Sequence, residues 1–170
     1  MRPKYILYAG VNGAGKSTLY DINGNLEGLH YINLVAGKQV VNTIKQYIEA
    51  KDSFIQETTF CGNSIIRNIN NAIKQGYYIE VHYVAVETTD IAIERVHRRV
   101  AKGGHGVSNQ DIRRRYFQSF KNLKMMMPQI DWLVLYDNTE SFRKIAVYSK
   151  GILVNKENNA PEWYNKYIVT

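Results

Sequence analysis

Gly10-Val11-Asn12-Gly13-Ala14-Gly15-Lys16-Ser17 decides how this chain folds. It follows the apolar run Tyr5-Ile6-Leu7-Tyr8-Ala9 and leads into a helical segment. Strand, glycine-rich loop and helix in that order turn a GxxxxGK[ST] match into a phosphate-binding loop. The task explains the residue types. Glycines at 10, 13 and 15 let the backbone wrap a polyphosphate with no Cβ in the way. The consecutive N–H groups from Gly10 to Thr18, those of Asn12 and Ala14 among them, present positive dipole ends to the anion, as does the helix N-terminus. Lys16 sets a full positive charge against the β- and γ-phosphates, and the Ser17 hydroxyl is placed to ligate Mg²⁺.

Working outward, further strands and helices alternate. Strands are expected at 30–32, 53–57, 78–86 and 132–136. Helical spacing links Val40, Val41, Ile44, Tyr47 and Ile48, and again Ile65, Ile66, Ile69 and Ile73. Asn63 is expected to cap the second of these helices and Thr89 the helix from Asp90 to about Ala101. Asp21-Ile22-Asn23-Gly24-Asn25 reads as a turn-rich stretch. Ser108-Asn109-Gln110-Asp111 has the form of a capping box, and Pro128 ends the helix that it opens. Residues 145–154 read as a hairpin turning at Ser149-Lys150-Gly151, and 161–167 as a short terminal helix. Near-continuous apolar strands between helices imply an α/β fold, a parallel sheet with helices on both faces and a C-terminal β-hairpin. The carboxyl edge of such a sheet binds ligands. That edge collects the phosphate loop, Glu57-Thr58-Thr59 and Asp137-Asn138. The last pair reads either as turn residues or as contacts to a nucleotide base.

The 170 residues are expected to form one domain over 1–170, and the formal charge is +7. No apolar run approaches the ~20 residues that span a bilayer, so no membrane partner is expected. The first strand begins directly after residue 4, with no signal-peptide apolar region before it. With one cysteine, Cys61, neither an intrachain disulfide nor a cysteine metal cluster is open to the chain, and the reducing cytoplasm is the expected compartment. Thirteen tyrosines alternate mostly within strand-like runs, which favours packing over base stacking. The positive surplus is concentrated. Arg95, Arg98, Arg99, Arg113, Arg114 and Arg115 flank a loop broken by Gly103-Gly104-His105-Gly106. Two helices carrying these arginines, a lid over about 95–115, would neutralise a transferring phosphoryl group and exclude water, its competing nucleophile. Glu57 at a strand end could bind Mg²⁺, orient a hydroxyl substrate or accept its proton.

In this order the motifs resemble a known family. Gly10 to Thr18, Phe54-Ile55-Gln56-Glu57-Thr58-Thr59, Ile93 to Val100, Gly103 to Val107, Ile112 to Tyr116 and Tyr136-Asp137-Asn138 are similar to the zeta-toxin family of P-loop kinases, in its short branch. The resemblance implies a P-loop kinase-like fold and phosphorylation of UDP-N-acetylglucosamine on an amino-sugar hydroxyl, with ATP and Mg²⁺. It also implies a protein antitoxin as partner. By resemblance Lys16 and Ser17 serve ATP and Mg²⁺, while Glu57 and Thr59 contact the nucleotide sugar. Arg95 is the first lid arginine, with Arg99 beside it. His105 takes a second lid position that is arginine in the best-known members, where a neutral imidazole stabilises the phosphoryl group less. The family also places an aspartate base just after the second strand. Here Tyr31-Ile32-Asn33 runs directly into Leu34-Val35-Ala36-Gly37-Lys38, without the aspartate-bearing segment. Glu57 is then the one well-placed carboxylate, and slow turnover is expected. Two other readings compete with the kinase: a catalytically weak nucleotide-binding switch, and a polynucleotide kinase-like enzyme using its arginines on nucleic acid.

Overall fold

A computed structural model of the chain describes residues 2–23, 29–33 and 37–169. In chain order the elements are β1 Lys4–Ala9, α1 Lys16–Ile22, β2 His30–Asn33, α2 Gly37–Ala50, β3 Phe54–Thr58, α3 Asn63–Lys74 and β4 Tyr78–Ala85. Then come α4 Thr89–Ala101, α5 Asn109–Met126, β5 Trp132–Asp137, β6 Arg143–Ser149, β7 Ile152–Lys156 and α6 Glu162–Tyr164. A π-helical turn, Asn165–Val169, extends α6.

The strands form one sheet in the order β2-β3-β1-β4-β5-β6-β7. The first five are parallel, and β6 and β7 are the antiparallel hairpin expected from the sequence. Its two-residue turn has positive φ at both Lys150 (50°) and Gly151 (78°), the backbone that matches the strands' own twist. Strand β1 lies between β3 and β4, which is why its residues are almost wholly buried. Helices cover both faces. Tyr20 of α1 packs edge-on against Tyr8, while Phe120 of α5 packs on Tyr83 of the opposite face. Tyr5, Tyr8, Tyr77 and Tyr83 of the strand-like runs are core residues, as is Tyr116 on α5.

Local chemistry differs from expectation at three points. The cap of α4 is Thr88, whose hydroxyl accepts from the Ile91 amide at 3.3 Å; Thr89 is already helical. The cap position of α3 is Gly62, with no side-chain bond, and Asn63 is its first helical residue. Asp21 and Ile22 belong to α1 rather than to a turn. The capping box does form, with Ser108 accepting from the Asp111 amide at 3.1 Å. The join after Asn33, the end of the turn-rich stretch at 24–25 and the side chains of Val40 and Val41 lie outside the described residues.

Candidate active site

Gly10, Gly13 and Gly15 all have positive φ, at 143°, 83° and 106°, so the loop after β1 follows a path that L side chains resist. The loop also touches its surroundings closely. A Cβ on Gly13 would fall 2.3 Å from the Ala92 carbonyl oxygen of α4, which places the start of the arginine arm against the loop. Asn138 Nδ2 donates to the Ala14 carbonyl at 2.8 Å and ties the loop to the end of β5.

Lys16 is 8% exposed. Its Nζ donates to the Val11 carbonyl at 3.2 Å and lies 4.0 Å from Glu57 Oε1. Burial pulls its pKa down to about 8, opposed by the Glu57 carboxylate and reinforced by the Arg99 and Arg115 charges. This gives the site a proton signature. In the free protein Lys16 loses its proton as pH rises through about 8. A bound polyphosphate favours the charged form and raises the pKa again. Nucleotide binding at pH 8.5 is therefore expected to take up a proton, and affinity to fall as pH rises from 7.5 to 9. Calorimetry in two buffers of different ionisation enthalpy reads the uptake, and equal heats in both would contradict it.

Glu57 is the penultimate residue of β3, beside β1, and its Oε2 accepts from the Ser17 hydroxyl at 2.9 Å and from the Tyr31 hydroxyl at 2.8 Å. Because Ser17 donates its proton to Glu57, its lone pairs remain available to a cation. This hard-oxygen pair suits Mg²⁺, which takes one or two protein oxygens together with waters and phosphates. Among the described residues no group of three or more His, Cys, Asp or Glu could hold a metal, so a cage of protein ligands is not what these residues offer.

Two cavities adjoin this pair. One, of about 630 Å³, is lined by Gly13, Gly15, Lys16, Ser17 and Thr18 of the loop, by Arg95 and Arg99, and by Asn138, Glu140, Ser141 and Phe142. The other, of about 410 Å³, is lined by Asn12, Gln56, Thr59, Asn68, Arg114 and Arg115 among others. Lys16 and Glu57 line both.

The six arginines therefore divide. Arg95 bonds the Thr139 carbonyl at 2.9 Å and Arg99 the His105 carbonyl at 2.8 Å, both on the loop cavity. His105 itself is exposed; its carbonyl, rather than its imidazole, engages the arm. Thr59 lines the second cavity, with its hydroxyl 3.0 Å from Cys61 Sγ. Arg98 pairs with Glu94, Arg113 with Asp90 at 2.6 Å and Arg114 with Asp111 at 2.8 Å. These neutralised pairs weaken the basic face that a nucleic acid would need. Asp137 is structural here, whereas Asn138 lines the loop cavity. Buried Asp137 accepts from Trp163 Nε1 at 2.9 Å, from Thr139 at 2.6 Å and from Arg143 Nε at 3.2 Å.

Three residues make site contacts that the sequence did not assign to them. Arg115 donates to Asn12 Oδ1 at 3.1 Å, and its spacing three residues after inward-facing Ile112 was a usable signal. Tyr31 and Asn138 act through tertiary contacts that no local pattern announces.

Known proteins resemble this chain in sequence or in fold. The chain spans 94% of an uncharacterized protein of Haemophilus influenzae, at 29% identity over 132 residues and 68% of this chain. The AvrRxo1-ORF1:AvrRxo1-ORF2 complex superposes with a TM-score of 0.68 at 12% identity, covering 99% of this chain. This chain spans 64% of that one's length. A structure from the PezAT chromosomal toxin–antitoxin system of Streptococcus pneumoniae gives a TM-score of 0.60 at 13% identity, covering 83% of this chain and 70% of that one. Those likenesses establish the fold. The zeta toxin family model matches residues 23–143. Its match begins after the phosphate loop, so motif and match are separate observations. By that match, the chain belongs to the zeta toxin family.

Proposed function

We propose that this protein is an ATP- and Mg²⁺-dependent phosphotransferase. It moves the γ-phosphoryl group to a hydroxyl of a small molecule, and a nucleotide sugar such as UDP-N-acetylglucosamine is the acceptor we favour. One observation carries the reading: the loop cavity and the second cavity meet at Lys16 and Glu57, which line both. Membership of the zeta toxin family supports the same chemistry.

In this reading the backbone of Gly10, Asn12, Gly13, Ala14, Gly15 and Thr18 cradles the phosphates, with Lys16 against the group in transit. Ser17 and Glu57 would hold Mg²⁺, whose contribution is charge neutralisation on the phosphates. Arg95 and Arg99 approach from the arm with planar, permanently charged donors. The acceptor lies in the second cavity on Thr59 and Glu57. Its hydroxyl oxygen bonds to the γ-phosphorus as the bridging P–O bond to ADP breaks, and its proton passes to Glu57 Oε1, the oxygen not engaged by Ser17 and Tyr31. The whole chain, 1–170, is read as one kinase domain with the arm at 95–115 as its lid. A protein antitoxin is the expected macromolecular partner and the cytoplasm the expected compartment.

Incubation with Mg²⁺-ATP and UDP-N-acetylglucosamine, followed by mass analysis, tests this. The expected product is the nucleotide sugar carrying one added phosphoryl group. Nucleotide binding with neither product nor ATP loss would instead favour a non-catalytic switch. One observation speaks for that rival: among the described residues Glu57 is the only carboxylate lining the second cavity, and it is already hydrogen-bonded to two hydroxyls.

A further inference from the structure

We propose that Tyr31 is a positioning residue for the metal–nucleotide site, acting on Ser17 through Glu57. The inference rests on the phosphotransferase reading above. Tyr31 sits on β2 and Glu57 on β3, in parallel neighbours whose register sets Tyr31 beside Ile55 and Asn33 beside Glu57. From there the phenol reaches forward to Glu57 Oε2 at 2.8 Å. The Ser17 hydroxyl donates to that same oxygen at 2.9 Å.

A carboxylate free to rotate would offer Ser17 either oxygen, or neither, and the serine proton could then point into the cavity. With Tyr31 and Ser17 both donating to Oε2, the carboxylate plane and the serine proton are fixed together. The lone pairs of Ser17 then stay available to a cation, which Ser17 and Glu57 would hold. The second oxygen, Oε1, stays turned toward Lys16 at 4.0 Å. The Tyr31 ring is itself held by stacking on Tyr20 of α1, centroids 4.3 Å apart at 29°. Tyr20 meets Tyr8 edge-on at 5.3 Å. The helix that carries Ser17 thus also fixes the tyrosine that orients its partner. Tyr31 touches neither nucleotide nor metal in this arrangement; its effect passes through the carboxylate, as with partners that orient metal ligands.

The substitution Tyr31→Phe removes the hydroxyl and keeps the stacked ring. ATP binding is measured by calorimetry with Mg²⁺ and with EDTA, on the full chain. The Mg²⁺ concentration for half-maximal tightening of ATP binding is expected to rise about tenfold in Tyr31→Phe. Metal-free ATP affinity is expected to stay within twofold of wild type. In a Glu57→Ala background, Tyr31→Phe is expected to shift the Mg²⁺ midpoint no further, because the carboxylate through which it acts is gone. An unchanged Mg²⁺ midpoint would overturn the proposal. Equal losses with and without metal would also overturn it, since they describe a merely structural tyrosine. A wild-type chain that binds ATP in neither condition would sink the phosphotransferase reading, and this inference with it. Melting curves separate these outcomes from misfolding, and Tyr31→Trp, which fills the stack without the hydroxyl, should reproduce the metal effect if Phe destabilises the fold.

Discussion

Lys16→Ala is expected to abolish ATP-dependent phosphorylation while the protein stays folded. The ammonium lies between the two cavities, within 4.0 Å of Glu57 and in reach of the Val11 carbonyl. In the proposed reaction its charge faces the phosphoryl group throughout the transfer, so its removal acts on the transition state. Loss of one preorganised donor of this kind slows turnover on the order of a hundred- to a thousandfold. A full charge at the γ-phosphate sets the expectation at or above the upper end. Stability should move little. The side chain is buried, and burial already works against its charged form. Deleting it removes that penalty while leaving one carbonyl and one carboxylate beside open cavities that admit water. Initial rates of phosphoryl transfer, read beside thermal unfolding, check both halves. Wild-type rates in the variant would remove Lys16 from the mechanism. A large fall in melting temperature would show that the lysine holds the loop together.

Much of this site was legible before the fold was known, because its core is local. The phosphate loop is eight contiguous residues, and flanking strand and helix signals place it at the carboxyl edge of a parallel sheet. Glu57 followed from its strand, since a residue ending an apolar run beside β1 must lie on the same edge. The division of the arginines was not legible. Six guanidinium groups on two helices look alike in sequence, and only tertiary geometry separates Arg95 and Arg99 on one cavity from Arg114 and Arg115 on the other. The pairs Arg98–Glu94 and Arg114–Asp111, at helical spacings of four and three, were open to prediction and account for two of the six charges. Asp137 and Asn138 show the opposite limit. Their roles depend on Trp163 near the C-terminus and on Ala14 near the start, contacts that loop composition cannot foretell.

Gly10→Ala is expected to be the most damaging single-methyl change in the loop. At φ 143° an alanine is strained, and its Cβ would stand 2.2 Å from the Val84 carbonyl oxygen. That oxygen belongs to β4, hydrogen-bonded between β1 and β5, so it cannot step aside without breaking the parallel ladder. Gly10 is pinned from the other side, where its amide donates to the Thr58 carbonyl at 3.2 Å. Strain and overpacking each contribute about 1–3 kcal/mol, and together on the order of 4 kcal/mol. For a chain of this size that lowers the melting temperature by roughly 10 °C or more. Gly76→Ala supplies the comparison. Its φ is 84°, and nothing lies within 4 Å of a Cβ built there. It carries the conformational term alone, about 1–2 kcal/mol, or roughly 3–6 °C. Two melting curves therefore isolate what close approach contributes. If Gly10→Ala melts no lower than Gly76→Ala, the contact with β4 does not constrain the loop, and the loop's position must come from its links to Thr58, Asn138 and α4 instead.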